Sequence, residues 1–335
     1  MSNRRLPIIS TSEVRTFNSC RRKHHLAYRI RIRPVVKARP LQLGTISHVG
    51  LEVWWKTVNL ALAIDAMREH ARRELEERGI DTDPFDLAMA VALMTGYDAR
   101  WRAEPIEVLA VEAEFETDII DPTTGAASLD YRLGGKIDAI LRYSADGRVL
   151  ICEHKTTSED ITGGSPYMRR LRIDSQISNY LVGARALGFA PEGCLWDVIR
   201  KPTLRPYKKT AEIKYRKDGE PCANQRLRDE TPGEYEARLI EEITSNPEKY
   251  FARVEVIRLA SEEEEASLDL WQTAGEMRGV ERSRRYRRNS DACVMYRRAC
   301  DYLPICSGEI DIDDPRFRVA EKAHEELETM EDEAA

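Results

Sequence analysis

No stretch of 18 apolar residues occurs in this 335-residue chain, so no segment reads as a membrane-spanning helix. The first residues, Met-Ser-Asn-Arg-Arg-Leu-Pro, hold no apolar signal core. A phosphate loop of the form Gly-x-x-x-x-Gly-Lys-Ser/Thr is missing, which excludes a nucleotide-driven motor within the chain. No repeat returns at a fixed period, which excludes a solenoid. Cysteine is sparse, with 7 residues, and the missing signal core leads to the expectation of a reducing, cytoplasmic setting. The cysteines are then expected to be thiols or metal ligands, not disulfides.

Charge is what the chain has in quantity. Charged residues make up 33% and hydrophobic ones 42%, a balance that suits a globular protein with a sizeable core. The net charge of −6 hides an asymmetry. Residues 1–40 carry eleven Lys and Arg against the single acid Glu13, and residues 278–298 carry eight Arg against Glu281 and Asp291. Residues 309–335 carry eleven acids against Arg316, Arg318 and Lys322. Two basic segments predict a polyanionic partner, and the acidic tail predicts a solvated end.

The densest chemistry lies between Gly135 and Thr156. Two runs of strand-forming residues flank Asp146-Gly147, a hairpin signal. If the loop is Ser144–Gly147, Asp138 faces Glu153; if it is Asp146-Gly147 alone, Asp138 faces Lys155. Both registers put Asp138, Glu153 and Lys155 on one face with Ile140, Val149 and Ile151, because a two-residue shift preserves the face. Ile137, Ala139, Leu141 and Leu150 are expected on the other. Strands apolar on both faces are covered on both sides, and acids on a covered strand need partners.

Around this hairpin the pattern is helices, a mixed sheet crossed by a helix, and helices again, an α/β arrangement. Ser10-Thr-Ser-Glu13 predicts a helix from about residue 11. One long helix is expected over about 46–78, ending at Gly79, and another over 84–103. Strands are expected at 108–117 and 129–133, a helix at 173–187 and a strand at 194–200. Residues 203–232 read as a polar excursion with a tight turn at Lys217–Glu220. A helix from Thr231 to about Thr244, a strand at 251–259 and a helix at 261–283 follow.

Asp138 and Glu153 are hard oxygen ligands suited to Mg²⁺ or Mn²⁺, and the carbonyl of His154 can add another. Lys155 is placed to orient or help deprotonate a water and to relieve developing negative charge. These are the requirements of metal-assisted phosphodiester hydrolysis. A buried ion pair without catalytic purpose is the structural alternative.

Gly135-x-x-Asp138 followed by Glu153-x-Lys155-Thr156 resembles the core of the PD-(D/E)XK nucleases. Gln176-x-x-x-Tyr180 resembles the extra motif of their RecB-like branch, and Gly44-x-x-x-His48-x-x-Leu51-Glu52 the upstream histidine motif of that branch. Ile137 stands where the superfamily motif has its proline. The resemblance implies a restriction-endonuclease-like mixed sheet flanked by helices, with His48, Asp138 and Glu153 as metal ligands and Lys155 as the catalytic lysine. Gln176 and Tyr180 would contact DNA and brace the site, one helical turn apart. Glu112 or Glu114 would supply a further acid. Arg21, Arg22 and Lys23 are candidate DNA contacts.

Cys20 stands alone near the start, and Cys293-x6-Cys300-x5-Cys306 near the end. This distribution resembles the iron–sulphur RecB-like nucleases, the AddB-type and CRISPR-associated exonucleases, whose usual end is Cys-x2-Cys-x5-Cys. The frame from Asn289 through Tyr296 and Tyr302 to Cys306 looks like phage-encoded members, which would place the protein in the host cytoplasm. The resemblance implies a [4Fe–4S] cluster clasping the two ends; a zinc ion on four thiolates and free buried thiols are the alternatives. Cys152, Cys194 and Cys222 are expected to be ordinary. One nuclease domain is expected over 1–308, with its core at about 105–260, an N-terminal helical part at 1–104 and a C-terminal helix and clasp at 261–308. The implied activity is exonucleolytic cleavage of DNA from single-stranded ends in recombination, repair or phage DNA processing, alone or beside a helicase or recombination protein. CRISPR spacer processing and a non-catalytic DNA-end-binding module are the alternatives.

Overall fold

The computed structural model describes residues 5–36, 39–220, 222–223, 225–295 and 298–327. The chain opens with β1 (Ile8–Ser10), α1 (Thr11–Ser19), α2 (Arg21–His24), a π-helical turn at His25–Arg29 and β2 (Ile32–Pro34). Three helices follow: α3 (Arg39–Thr57), α4 (Leu60–Arg78) and α5 (Pro84–Trp101). Then come β3 (Ile106–Ile120), β4 (Ala127–Tyr143), β5 (Val149–Thr157), α6 (Pro166–Leu171), α7 (Ser175–Ala186) and β6 (Gly193–Arg200). After the excursion stand α8 (Pro232–Ser245), α9 (Pro247–Tyr250), β7 (Phe251–Val256) and α10 (Ala260–Ser283). The end holds β8 (Val294–Met295), β9 (Arg298–Ala299), α11 (Leu303–Ser307) and β10 (Phe317–Val319).

Six strands form one mixed sheet in the order β1-β4-β5-β6-β7, with β3 also pairing β4. Strands β1/β4 and β5/β6 run parallel, and the other pairs antiparallel. One face is covered by α3, α4, α5 and α8 through residues such as Trp54, Met67, Tyr97 and Leu239. The other is covered by α1, α7 and α10 through Phe17, Leu181 and Met277. This is the restriction-endonuclease-like α/β arrangement, and it buries both faces of β4 and β5 as their apolar runs require.

Where local chemistry departs from the sequence reading, a specific residue is responsible. The expected helix over 46–78 is two helices, and the first already begins at Arg39. Val58 takes φ 50°, and the Asn59 side chain accepts from Leu62 N at 3.2 Å, so a fresh N-cap starts α4. In the turn at Ser10, the serine caps Glu13 N as expected, yet the Glu13 carboxylate does not return to close a capping box. It is fully buried and meets His24 at 2.8 Å, Arg29 at 2.7 Å and His324 at 2.9 Å.

His324 shows that the acidic tail is not simply a solvated end. Residues 309–327 fold back: β10 pairs antiparallel with β2, and His324 and Leu327 are buried. Residues 328–335, and Tyr296 of the expected cysteine frame, lie outside the described residues. Burial alone would raise the Glu13 carboxyl, but its two histidines and Arg29 hold it far below the carboxylate range. Burial opposes the charge on His324, yet Glu13 and Glu326 push its pKa up to about 10.

A folded pKa above the unfolded one means that the stabilisation is full below the unfolded value and lost as pH rises through the folded value. Unfolding free energy is therefore expected to fall between about pH 6.5 and pH 10, by an order of a few kcal/mol. His324→Gln should flatten this slope in denaturant titrations, and an unchanged slope would contradict the pairing. Glu13→Ala, which removes the shared acceptor of His24, Arg29 and His324, should cost about 1–3 kcal/mol.

Candidate active site

Strands β4 and β5 are hydrogen-bonded from Arg142–Val149 up to Ala139–Cys152 and then part. This is the register of the Ser144–Gly147 loop, and it brings Asp138 beside Glu153 where the strands splay. On the other flank, the ladder with β3 pairs Val111 with Ala139 and Ala113 with Ile137, leaving Glu112 and Asp138 unpaired between them. Glu112 takes φ 54°, a left-handed value that a non-glycine residue adopts at a cost. The alternation of faces breaks at this step. Ile137 packs with Ile140 and Ile151, contrary to the expectation from strict alternation, while Ala139, Leu141 and Leu150 face the other core.

The splay opens a cleft of about 760 Å³, lined among others by His48, Glu52, Glu112, Lys136, Asp138 and Lys155. Asp138 Oδ2 accepts the backbone N–H of His154 at 2.7 Å, and its Oδ1 lies 3.9 Å from His48 Nδ1. Lys155 is hydrogen-bonded to Glu153 Oε1 and donates to Gln176 Oε1 at 3.1 Å. The Gln176 amide donates back to Glu153 Oε1 at 2.7 Å, so lysine, glutamate and glutamine close a ring. Gln176 is fixed by α7, whose Asp174 cap accepts from Gln176 N. Tyr180, one turn on, packs edge-to-face on Phe115 and sits against Gly135, where a Cβ would lie 3.1 Å from its ring.

Electrostatics make the site short of positive charge. Burial first, and Asp138 second, raise the Glu153 carboxyl. Burial opposes the Lys155 ammonium, but Glu153 and Asp138 outweigh it and raise its pKa. Burial, with His154 next, pushes His48 down to about 4, so its imidazole is neutral at pH 7 and offers a lone pair. Glu153 Oε2 is buried without a hydrogen-bond partner. An orphaned carboxylate oxygen, a second carboxylate and a neutral imidazole form a donor set that fits a hard divalent cation.

His48, Asp138, Glu153, Lys155 and Gln176 therefore meet at one place, with Tyr180 behind them. Glu112, and not Glu114, is the additional acid that lines the cleft, paired with Lys136 at 2.5 Å. Arg21, Arg22 and Lys23 do not line it. Two further residues line the cleft: Glu52, one turn after His48 and part of its motif but given no role there, and His70, brought in by α4 and absent from the sequence reading. Helical spacing signals Glu52; nothing local signals His70.

A second group lies on the opposite face of β5. Cys152, His154 and Asp197 bring ligand atoms within 4.8 Å of one another, all buried. Asp197 accepts from His154 Nδ1 at 3.0 Å, from Tyr97 and from Arg253 Nε at 3.1 Å. Its charge is thus met by protein donors, and the group anchors the strand that carries Glu153 and Lys155. Cys152, read as ordinary from the sequence, borders this network. An acid inside the apolar run Cys194–Ile199 was the available signal.

The profile of the PD-(D/E)XK nuclease superfamily matches residues 8–307. The chain belongs to this superfamily. Metal-dependent phosphodiester hydrolysis comes with that membership. No curated protein matches the chain. Among solved structures, the crystal structure of SSO0001 aligns with 80% of this chain and 85% of its own at 14% identity, with a TM-score of 0.30. Among the described residues, no helix of the nuclease is long and apolar enough to cross a membrane.

Removing Asp197 takes the acceptor from His154 Nδ1 and Tyr97 and leaves Arg253, which is only 6% exposed, with Glu104 as its one carboxylate. Asp197→Ala is expected to cost about 1–3 kcal/mol in chemical denaturation. A loss under about 1 kcal/mol would show that the network does not anchor β5.

Proposed function

We propose that this nuclease removes nucleotides from single-stranded DNA ends, with His48, Asp138 and Glu153 holding Mg²⁺ or Mn²⁺ and Lys155 as the catalytic lysine. The observation that carries the reading is the orphaned Glu153 oxygen on β5 next to Asp138, whose own carboxylate lies 3.9 Å from His48 on the cleft wall. A cleft of about 760 Å³ lies in the size range of small-ligand pockets, which suits a terminal nucleotide or two.

The bound cation would polarise the scissile phosphate and lower the pKa of the attacking water. Lys155, kept as an ammonium by its acids, orients the water and relieves charge on the phosphate oxygens. Gln176 holds Lys155 and Glu153 in register, and the His154 N–H fixes the Asp138 carboxylate. Tyr180 supports Gln176 from the next turn of α7.

We also propose one nuclease domain over 1–308 and a [4Fe–4S] cluster on Cys20, Cys293, Cys300 and Cys306. Support comes from the way the chain ends meet. Asn289 Nδ2 donates to Ser19 O at 2.8 Å, and Cys300 N to Cys293 O at 2.8 Å. Cys20 and Cys300 both bear electrostatically on Cys306. All four cysteines are free.

End-labelled linear single- and double-stranded DNA, incubated with Mg²⁺, Mn²⁺ or EDTA, tests the activity. Linear single strands should be degraded only with metal, and circular ones should survive; cleavage of circles would replace the exonuclease by an endonuclease. Asp138→Ala, Glu153→Ala and Lys155→Ala should each lose about 10²–10⁴-fold in rate while keeping a cooperative melting transition. Anaerobic purification should give a brown protein that bleaches in air and loses its colour in Cys20→Ser. A colourless protein with one zinc per chain would remove the cluster.

A further inference from the structure

The basic segment after α10 is fastened to the basic segment after α1. Arg22 N donates to Arg287 O at 3.0 Å, and Asn289 reaches Ser19. The rings of His25 and Tyr286 stack 3.6 Å apart. Three contacts of different kinds thus hold residues 284–289 in a fixed place. Between the two segments lies a cavity of about 250 Å³ lined by Arg21, Arg287, Arg288 and Asn18 among others.

Arg21 is paired with Glu276 at 2.7 Å, but most of the charge on this edge is uncompensated. Arg282, Arg284, Arg285, Arg287 and Arg288 are exposed, and among the described residues none of them forms an ion pair. Arg22 Nε is buried with no hydrogen-bond partner. The field is felt by His25, where burial first, then Arg22, His24 and Arg29, push the imidazole down to about 4. Gathering this many cations costs free energy in the isolated protein, and an external polyanion removes that cost.

The edge is also joined to the active site. Arg15, in the middle of α1, is ion-paired with the Asp174 cap of α7 and bears electrostatically on Lys155 and Tyr180. Beyond Arg15, α1 ends at Ser19, and the chain passes through the extended Cys20 into α2 at Arg21, so α1 connects the α7 cap to the arginine edge.

We propose that Arg285, Arg287 and Arg288, with Arg21 and Arg22, form a second anchoring site for the sugar-phosphate backbone of the substrate strand, remote from the scissile bond. This rests on the reading of the chain as a nuclease of single strands. The site counts phosphates and does not read bases, since guanidinium groups on exposed backbone contact phosphate oxygens without sequence information.

The test is the salt dependence of binding of the full-length protein to a long single-stranded oligonucleotide in EDTA, where cleavage plays no part. For single strands each phosphate contact contributes about −0.7 to the slope of log K against log [salt]. Arg285→Ala/Arg287→Ala/Arg288→Ala should lower the slope magnitude by about 2. Lysines at the same three positions should restore it. With metal present, the alanine variant should show a raised KM on long strands, an unchanged kcat, and unchanged cleavage of oligonucleotides confined to the cleft. Arg142→Ala/Arg148→Ala/Arg185→Ala removes the same charge from arginines that already pair with acids, and should leave the slope as in the wild type. A wild-type slope in the first variant, an equal loss in the control, or failure of the lysines to restore binding would overturn the proposal. Wild-type binding with this slope but no cleavage would instead sink the nuclease reading and leave the anchoring site standing.

Discussion

Two carboxylates forced together under a covered sheet are the constraint on which this structure depends. Burial first, and the neighbouring Asp138 second, raise the cost of ionising Glu153. One neighbouring ammonium, Lys155, does not satisfy both, as the partnerless Glu153 Oε2 shows. The protein keeps the arrangement by making every other contact at the site specific: a backbone N–H on Asp138, an amide on Glu153 and an imidazole on the cleft wall. A site short of one divalent charge is poor for stability in isolation and good for capturing a metal.

The fold manages this by distorting at a single step. Glu112 accepts a left-handed backbone, and Asp138 leaves the ladder opposite it. Such a kink would relax if the neighbouring strand could shift. Strand β5 is prevented from shifting by the His154–Asp197–Arg253 network on its far face and by parallel pairing with β6 from Leu150 to Thr157. Catalytic geometry on one face is therefore held by a buried polar network on the other.

The hairpin, the mixed sheet around it and the meeting of Asp138, Glu153, Lys155, His48 and Gln176 were legible because they follow from alternation, helical spacing and motif order. What escaped the sequence depends on long-range partners. The half-formed capping box at Ser10 misleads, because Glu13 is claimed by His324 from the far end of the chain. A strand period of two cannot show that the pleat breaks between Ile137 and Ala139, since the cause sits on β3 at Glu112. The single long helix fails at Val58–Asn59, where an asparagine cap was readable but outweighed by the apolar stripe on either side. The acidic run after residue 309 looks solvated by composition, yet three strand residues and one histidine suffice to pin it.

The return of the C-terminal segment to β1 has a meaning in time. His324 Nε2 touches both Glu13 and the carbonyl of Ile8, 316 positions away. During synthesis at about 5–20 residues per second, the first strand and helix wait tens of seconds for this partner. A chain cut short before His324 leaves a buried carboxylate without one of its three partners, beside the edge where the two ends meet. The N-terminal core is thereby finished only when the segment around His324 has been made.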